Sequence, residues 1–140
     1  MTEEKRPTLD EVKAMIGKSD TETMVMDASR IQAFCLAVSD DNPRWKEYVP
    51  PAFLTNANMS SGISGLGIPW PYKRIVAAGA DWEFYKPIKI GDTITTTHEF
   101  TEIQDKGKPD APKVLMISKS RHVNQNGELV ALSTGRVMSY

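Results

Sequence analysis

The chain has 140 residues, the size of one domain built around one core. Its 17 basic and 18 acidic residues leave a formal net charge of −1, which argues against nucleic acid or an anionic membrane as the main partner. A single cysteine, Cys35, rules out an intrachain disulfide. No stretch is apolar for long enough to span a bilayer, and Met1 to Ile16 lacks the apolar core of a signal peptide. The expectation is a protein of the reducing cytoplasm.

The charged start, Thr2 to Pro7, is expected to fray. Thr8-Leu9-Asp10-Glu11 is a capping box, and Val12, Met15 and Ile16 line one face of the short helix it opens. Gly17 stands where that helix should stop. Glu22 to Met26 reads as a short strand. A second helix is predicted from about Ala28 to Ser39, with Ile31, Phe34, Cys35 and Val38 at i, i+3, i+4 and i+7 and Asp27 or Ser29 as its cap. It ends at Asp40-Asp41-Asn42-Pro43, because Pro43 disfavours helix at Asn42. Pro51 suits a first helical turn. The small-residue run Ala52 to Ser64 fits either a helix packed closely under a sheet or a loop shaped around a ligand. Gly65 to Pro71, with two glycines and two prolines, is irregular.

From Ala78 onward the chain turns to strands. Ala80 to Lys86 is followed by a turn over Pro87 to Asp92. Thr93 to Ile103, Lys113 to Asn124 and Glu128 to Tyr140 are three further strands, and Asn126-Gly127 is a hairpin signal between the last two. Helices first and antiparallel strands afterwards give an α+β class. A sheet of about five strands has one face to bury, and Ala52 to Ser64 is the natural cover. These strands exceed the usual ~5–6 residues, and long edges invite pairing with a second chain.

Three stretches carry a resemblance: FCLAVSDDNP (Phe34 to Pro43), VPPAFLT (Val49 to Thr55), and DWEFYKPIKIGDT (Asp81 to Thr93) with its sequel VNQNGELVALSTG (Val123 to Gly135). In this order they resemble the N-terminal or accessory type of MaoC-like dehydratase domain, over Thr8 to Tyr140. The resemblance implies a hotdog fold, a curved antiparallel sheet around a central helix, in one domain over residues 1–140. It also implies work on an acyl thioester of coenzyme A or a carrier protein, with no bound cofactor.

In the catalytic branch of that family the helix end reads D-x-N-P-x-H. The Asp and His activate a water that adds across an enoyl thioester, a step that needs an acid–base pair facing one molecule and fixed donors for the enolate oxygen. Here Asp40 and Asn42 match, but Trp45 holds the histidine position, and an indole neither takes nor gives a proton near neutral pH. Two readings of Asp40 and Asn42 stand side by side: remnants of the catalytic site, or caps of the turn before Pro43. Trp45 either lines an acyl channel or is a half-buried aromatic.

Ala52 and Phe53 stand where the family presents backbone donors to the thioester carbonyl, with the simple helix start as the alternative; Pro51 has no N–H to offer. Met59, Ser60, Ser61, Gly62 and Ile63 either floor an acyl pocket or pack under the sheet. His98 shares a strand face with Ile94, Thr96 and Phe100, and His122 with Val114, Met116 and Ser120, which reads as structural placement. No metal-ligand spacing links them, so no metal is expected. Cys35 belongs to the core, the glycines at 62, 65 and 67 form no phosphate loop, and Lys73 and Arg74 read as solvated loop charges.

The leading expectation is an accessory subunit of an enoyl-thioester hydratase or 3-hydroxyacyl-thioester dehydratase, paired with a catalytic MaoC-like hotdog subunit. Alternatives are a non-enzymatic acyl-thioester-binding homodimer and a hotdog thioesterase. The last lacks a carboxylate between Pro50 and Ala80.

Overall fold

The computed structural model describes residues 5–57 and 62–140. Met1 to Glu4, half of the segment expected to fray, lie outside them, as do Met59, Ser60 and Ser61.

Helix α1 spans Leu9–Lys13, and its capping box forms as the sequence requires: the Glu11 N–H donates to Thr8 Oγ1 (3.2 Å) and the Thr8 N–H to Glu11 Oε2 (3.1 Å). Gly17 then turns the chain at φ +99°. Its N–H donates to the Phe100 carbonyl, which ties the helix to the sheet.

Strand β1 covers Ser19–Val25, three residues earlier than the predicted Glu22 and one short of Met26. Its start is polar, so hydrophobic patterning does not reveal it. Pairing with β3 (Thr93–Asp105) defines it instead, with hydroxyl contacts Thr21–Thr97 (3.1 Å) and Thr23–Thr95 (3.3 Å) across the ladder.

Helix α2 runs Ala28–Ala37 from the cap Asp27 and ends two residues before the predicted Ser39, because Ser39 adopts φ +55°. Ile31 is fully buried, and Phe34 and Cys35 pack on the core, but Val38 falls beyond the last helical turn and is exposed. A 3-10 turn follows over Pro43–Lys46. The expected cover Ala52 to Ser64 consists of α3 (Pro51–Ala57) and α4 (Gly62–Gly65) among the described residues, with α4 packed on β3 and β4.

The remaining strands are β2 (Ile75–Phe84), β4 (Val114–Val123) and β5 (Leu129–Ser139). They join β1 and β3 in one antiparallel sheet of order β1-β3-β4-β5-β2. β2 begins at Ile75, before the predicted Ala78, because residues 75–77 pair with Ser139 to Val137 of β5. The register shifts between Ala77 and Gly79, where Gly79 takes φ +116°, and again between Phe100 and Glu102. Such bulges bend and twist strands. The result is the α+β hotdog architecture: a five-stranded antiparallel sheet with short helices against its inner face.

Two apolar clusters occupy that inner face. One joins Met26, Ile31, Phe53, Leu54, Ile94 and Val130; the other joins Val12, Ile63, Leu66, Phe100, Val114 and Met116. Along β3 the inward residues run Ile94, Thr96, His98, Phe100, and along β5 they run Ala131, Ser133, Gly135, Val137. A polar band therefore separates the clusters. Phe100→Ala, deep in the second cluster, is expected to lower stability by about 3–5 kcal/mol, read as a shift of the denaturant midpoint without a change in slope.

Candidate functional site

The turn after α2 places the first set of singled-out residues. Asp40 Oδ1 accepts from the Asn42 N–H (3.1 Å), and Asn42 Oδ1 accepts from the Arg44 N–H (3.0 Å), which starts the 3-10 turn. That turn swings Trp45 back so that its Nε1–H donates to Asp40 Oδ2 at 2.8 Å. Both carboxylate oxygens of Asp40 are thus engaged in holding the turn. The indole stands beside the carboxylate at the sequence position of the family's imidazole, but it has no proton-accepting nitrogen. The Arg44 guanidinium lies over both the Trp45 and Tyr48 rings.

Trp45 is half-buried and borders two surface depressions. One, of about 390 Å³, takes in Asp40, Asn42, Cys35 and Leu36. The other, of about 380 Å³, is lined by Tyr48, Pro51, Phe84 and Tyr85. The Cys35 thiol is pushed up from its ordinary pKa by partial burial first and by the Asp40 charge second.

At the start of α3, Ala52 is exposed, and the Phe53 N–H is taken by the Pro50 carbonyl (2.9 Å). The Phe53 ring is buried in the first core cluster, edge-on to Phe34 at 5.6 Å, and lines none of these depressions. Gly62 opens α4, and the buried Ile63 reaches a third cavity.

That third cavity, of about 290 Å³, lies on the inner face of the sheet. Its walls include Trp70, Trp82, Ile63 and Val137, and its polar side chains are Ser118, Ser120 and Ser133 with Thr55, Thr134 and Arg136. Beneath it the two histidines meet. His98 Nδ1 and Ser120 Oγ are 2.6 Å apart, and His98 Nε2 lies 3.2 Å from Glu22 Oε1. His122 Nδ1 is 2.8 Å from Thr96 Oγ1, and its Nε2 is 3.1 Å from Ser133 Oγ. Trp82 stacks on the His122 ring at 4.9 Å. All four imidazole nitrogens have oxygen partners, as buried polar groups require.

Sequence reasoning singled out the histidines one at a time but not Ser118, Ser133, Gly135 or Trp82. The available signal was small residues at every second position, Ser118-Ser120 and Ser133-Gly135, on strands whose inward neighbours are large. Among the described residues no group of three His, Cys, Asp or Glu side chains is arranged to hold a metal ion. Lys73 and Arg74 are exposed, and the Arg74 guanidinium packs over Tyr140.

Burial lowers the His122 pKa to about 4, helped by neighbouring His98 and partly offset by Glu22. Unfolded, the same imidazole titrates near ~6.5. Between these values the unfolded chain binds a proton that the folded chain does not, so stability rises with pH across the window and falls on acidification. The loss on going from pH 7 to pH 4 is expected to be about 3 kcal/mol. Denaturant unfolding at the two pH values checks it, and His122→Gln should flatten the dependence.

A family model described as "FAS1-like, dehydratase domain region" matches residues 14–133. No curated protein sequence matches the chain. Among solved structures, the fold superposes on the C-terminally truncated HadBC (3R-hydroxyacyl-ACP dehydratase) complex of Mycobacterium tuberculosis with a TM-score of 0.72, at 16% identity, over 89% of this chain and 97% of that one. The ChsH1-ChsH2 complex of the same organism gives a TM-score of 0.73 at 15% identity, covering 94% and 88%. The (R)-hydratase of A. caviae involved in PHA biosynthesis gives 0.61 at 21% identity, covering 89% and 95%. At these identities the structures show the shared fold. The family match over most of the chain, together with that fold, makes it a member of the FAS1-like dehydratase domain family and a MaoC-like hotdog domain.

Proposed function

We propose that this chain is an accessory subunit of an enoyl-thioester hydratase or 3-hydroxyacyl-thioester dehydratase, holding the acyl group while a partner hotdog subunit supplies the Asp/His pair. The observation that carries this reading is the Trp45–Asp40 hydrogen bond at the family's catalytic position. Hydration needs one group to take a proton from water and one to deliver a proton to the α-carbon. Asp40 is tied to a donor that cannot relay a proton, so this chain binds and orients, and its partner moves the protons. The substrate is a thioester of coenzyme A or a carrier protein, the reaction needs no bound cofactor, and the working compartment is the cytoplasm, where Cys35 stays reduced.

A hotdog partner is supported by the two unlike edges of the sheet. β1 is short, and its row of Ser, Asp, Thr and Glu discourages pairing. β2 is longer, its Ile75, Val76 and Phe84 are well exposed, and its first six residues carry no charge. The inner-face cavity borders this same edge through Ile75, Ala77, Gly79 and Ala80. A neighbour paired along β2 would bury the apolar edge and sit beside the cavity. Two of the structural relatives, HadBC and ChsH1-ChsH2, are themselves complexes.

The test is hydration of trans-2-enoyl-CoA, followed by loss of the conjugated thioester absorbance. The full chain alone should give no turnover, and the chain co-purified with its hotdog partner should be active. Turnover by the chain alone that drops with Asp40→Ala would overturn the reading. Val76→Lys should weaken association along β2 about tenfold, measured by sedimentation velocity, while leaving the thermal unfolding of the protomer within about 0.5 kcal/mol as for other surface changes.

A further inference from the structure

The polar band is more than a way of satisfying two histidines, because part of it lines a cavity among the described residues. Ser118 is 2% exposed, lines the inner-face cavity, and has no side-chain hydrogen-bond partner among the described residues. Its hydroxyl sits over Gly135, where a Cβ would lie 3.2 Å from Oγ. The missing side chain at Gly135 thus leaves Ser118 open to the cavity. A buried hydroxyl without a partner is unfavourable, and an alkyl chain laid against it leaves it so.

Ser120, beside it on the same strand face, is oriented by its bond to His98. A carboxylate oxygen accepts, so the His98 tautomer that suits Glu22 Oε1, 3.2 Å away, carries its proton on Nε2. His98 Nδ1 is then an acceptor, and the Ser120 O–H, 2.6 Å away, donates to it. The outward lone pairs of Ser120 are left to accept. Of the other polar side chains that line the cavity, Ser133 is engaged with His122, Thr55 with the Ala52 carbonyl and Arg136 with Asp81. Ser120, as an acceptor, and the uncommitted Ser118 hydroxyl stand side by side near the apolar surface of Trp70, Trp82, Ile63 and Val137. A ligand hydroxyl matches this pair, donating to Ser120 and accepting from Ser118.

We infer that the inner-face cavity is a subsite for an acyl group bearing a hydroxyl along its chain, remote from the thioester, in preference to a plain alkyl chain. The volume of about 290 Å³ is at the small end for ligand pockets, so it takes a segment of the acyl group and not the whole thioester. This inference rests on the proposed acyl-binding role.

The experiment is equilibrium binding to the full chain of decanoyl-CoA and of hydroxydecanoyl-CoAs with the hydroxyl at each position from C5 to C10, read by tryptophan fluorescence and calorimetry. One hydroxyl position should bind about tenfold more tightly than decanoyl-CoA. In Ser118→Ala, with a melting temperature no lower than that of the parent chain, that ratio should fall to within about threefold. If decanoyl-CoA binds and no hydroxylated isomer binds more tightly, the hydroxyl subsite is wrong, the cavity holds water only, and the acyl-binding reading stands. If no acyl-CoA binds, both fail. A preference that survives Ser118→Ala also overturns the assignment, because the hydroxyl is then read elsewhere.

Discussion

The register between β3 and β4 is the constraint on which the rest of the structure depends. It sets Thr96 opposite His122 and His98 opposite Ser120, so each imidazole finds a hydroxyl directly across the ladder. A slip of β4 by one residue would turn Ser120 and His122 to the outer face and bring Arg121 inside, leaving Thr96 and His98 without these partners. The cost of burying an imidazole without a partner makes that slip unfavourable in a way that apolar packing alone would not. Polar pairing thus fixes the register in the middle of the sheet. The apolar clusters at either end, around Ile94 and around Phe100, are held in place by it.

The same band explains why the inner face keeps a cavity. Serine and glycine at 118, 120, 133 and 135 cannot fill the space that valine or leucine would fill at those positions, and α4 covers the sheet without reaching into it. The volume therefore follows from small residues, of which Ser120 and Ser133 also satisfy the histidines. At the turn after α2 the logic is opposite. There each Asp40 oxygen has a donor, from the Asn42 N–H and the Trp45 indole N–H, and these bonds hold the turn. One region is spatially open and chemically equipped, while the other is chemically closed.

How much of this was legible in the sequence depended on range. Local signals were read well. The Thr8–Glu11 box, the Asp27 cap and the Asn126-Gly127 turn all act over two to four residues, and the turn forms with Gly127 at φ +74° and the Asn124 side chain accepting from the Asn126 and Glu128 N–H groups. The face on which each histidine lies was also legible, because strand alternation is local. That the two histidines lie on neighbouring strands, with Ser133 and Glu22 at their far nitrogens, was not. Those contacts depend on register and on strand order, and β2 joins the sheet beside β5, with 44 residues of chain between Phe84 and Leu129. The early start of β1 was hidden because threonine hydroxyls, rather than an apolar alternation, define it. The motif around Asp40 showed Trp45 at the position where the resemblance places a histidine. The direct Trp45–Asp40 bond needed coordinates.

The two edges of the sheet show how stability and assembly pull apart. An edge strand is tolerated when it is short and polar, and β1 meets both conditions. β2 meets neither along Ile75 to Ala80, yet it pairs with β5 over nearly its whole length and so is not a frayed element. Retaining an apolar, well-paired and exposed edge carries an aggregation risk unless a neighbour covers it. On the proposed reading that neighbour is the catalytic hotdog subunit, and the bulge at Ala77–Gly79 gains a second role. Around it, between Ile75 and Trp82, β2 borders the cavity with alanine and glycine, so a paired strand could be covered on one side while the acyl group is held on the other. Larger side chains there would strengthen the edge strand but would fill the cavity. The small residues of β2 therefore weaken the strand as an isolated element and suit it to a shared binding site.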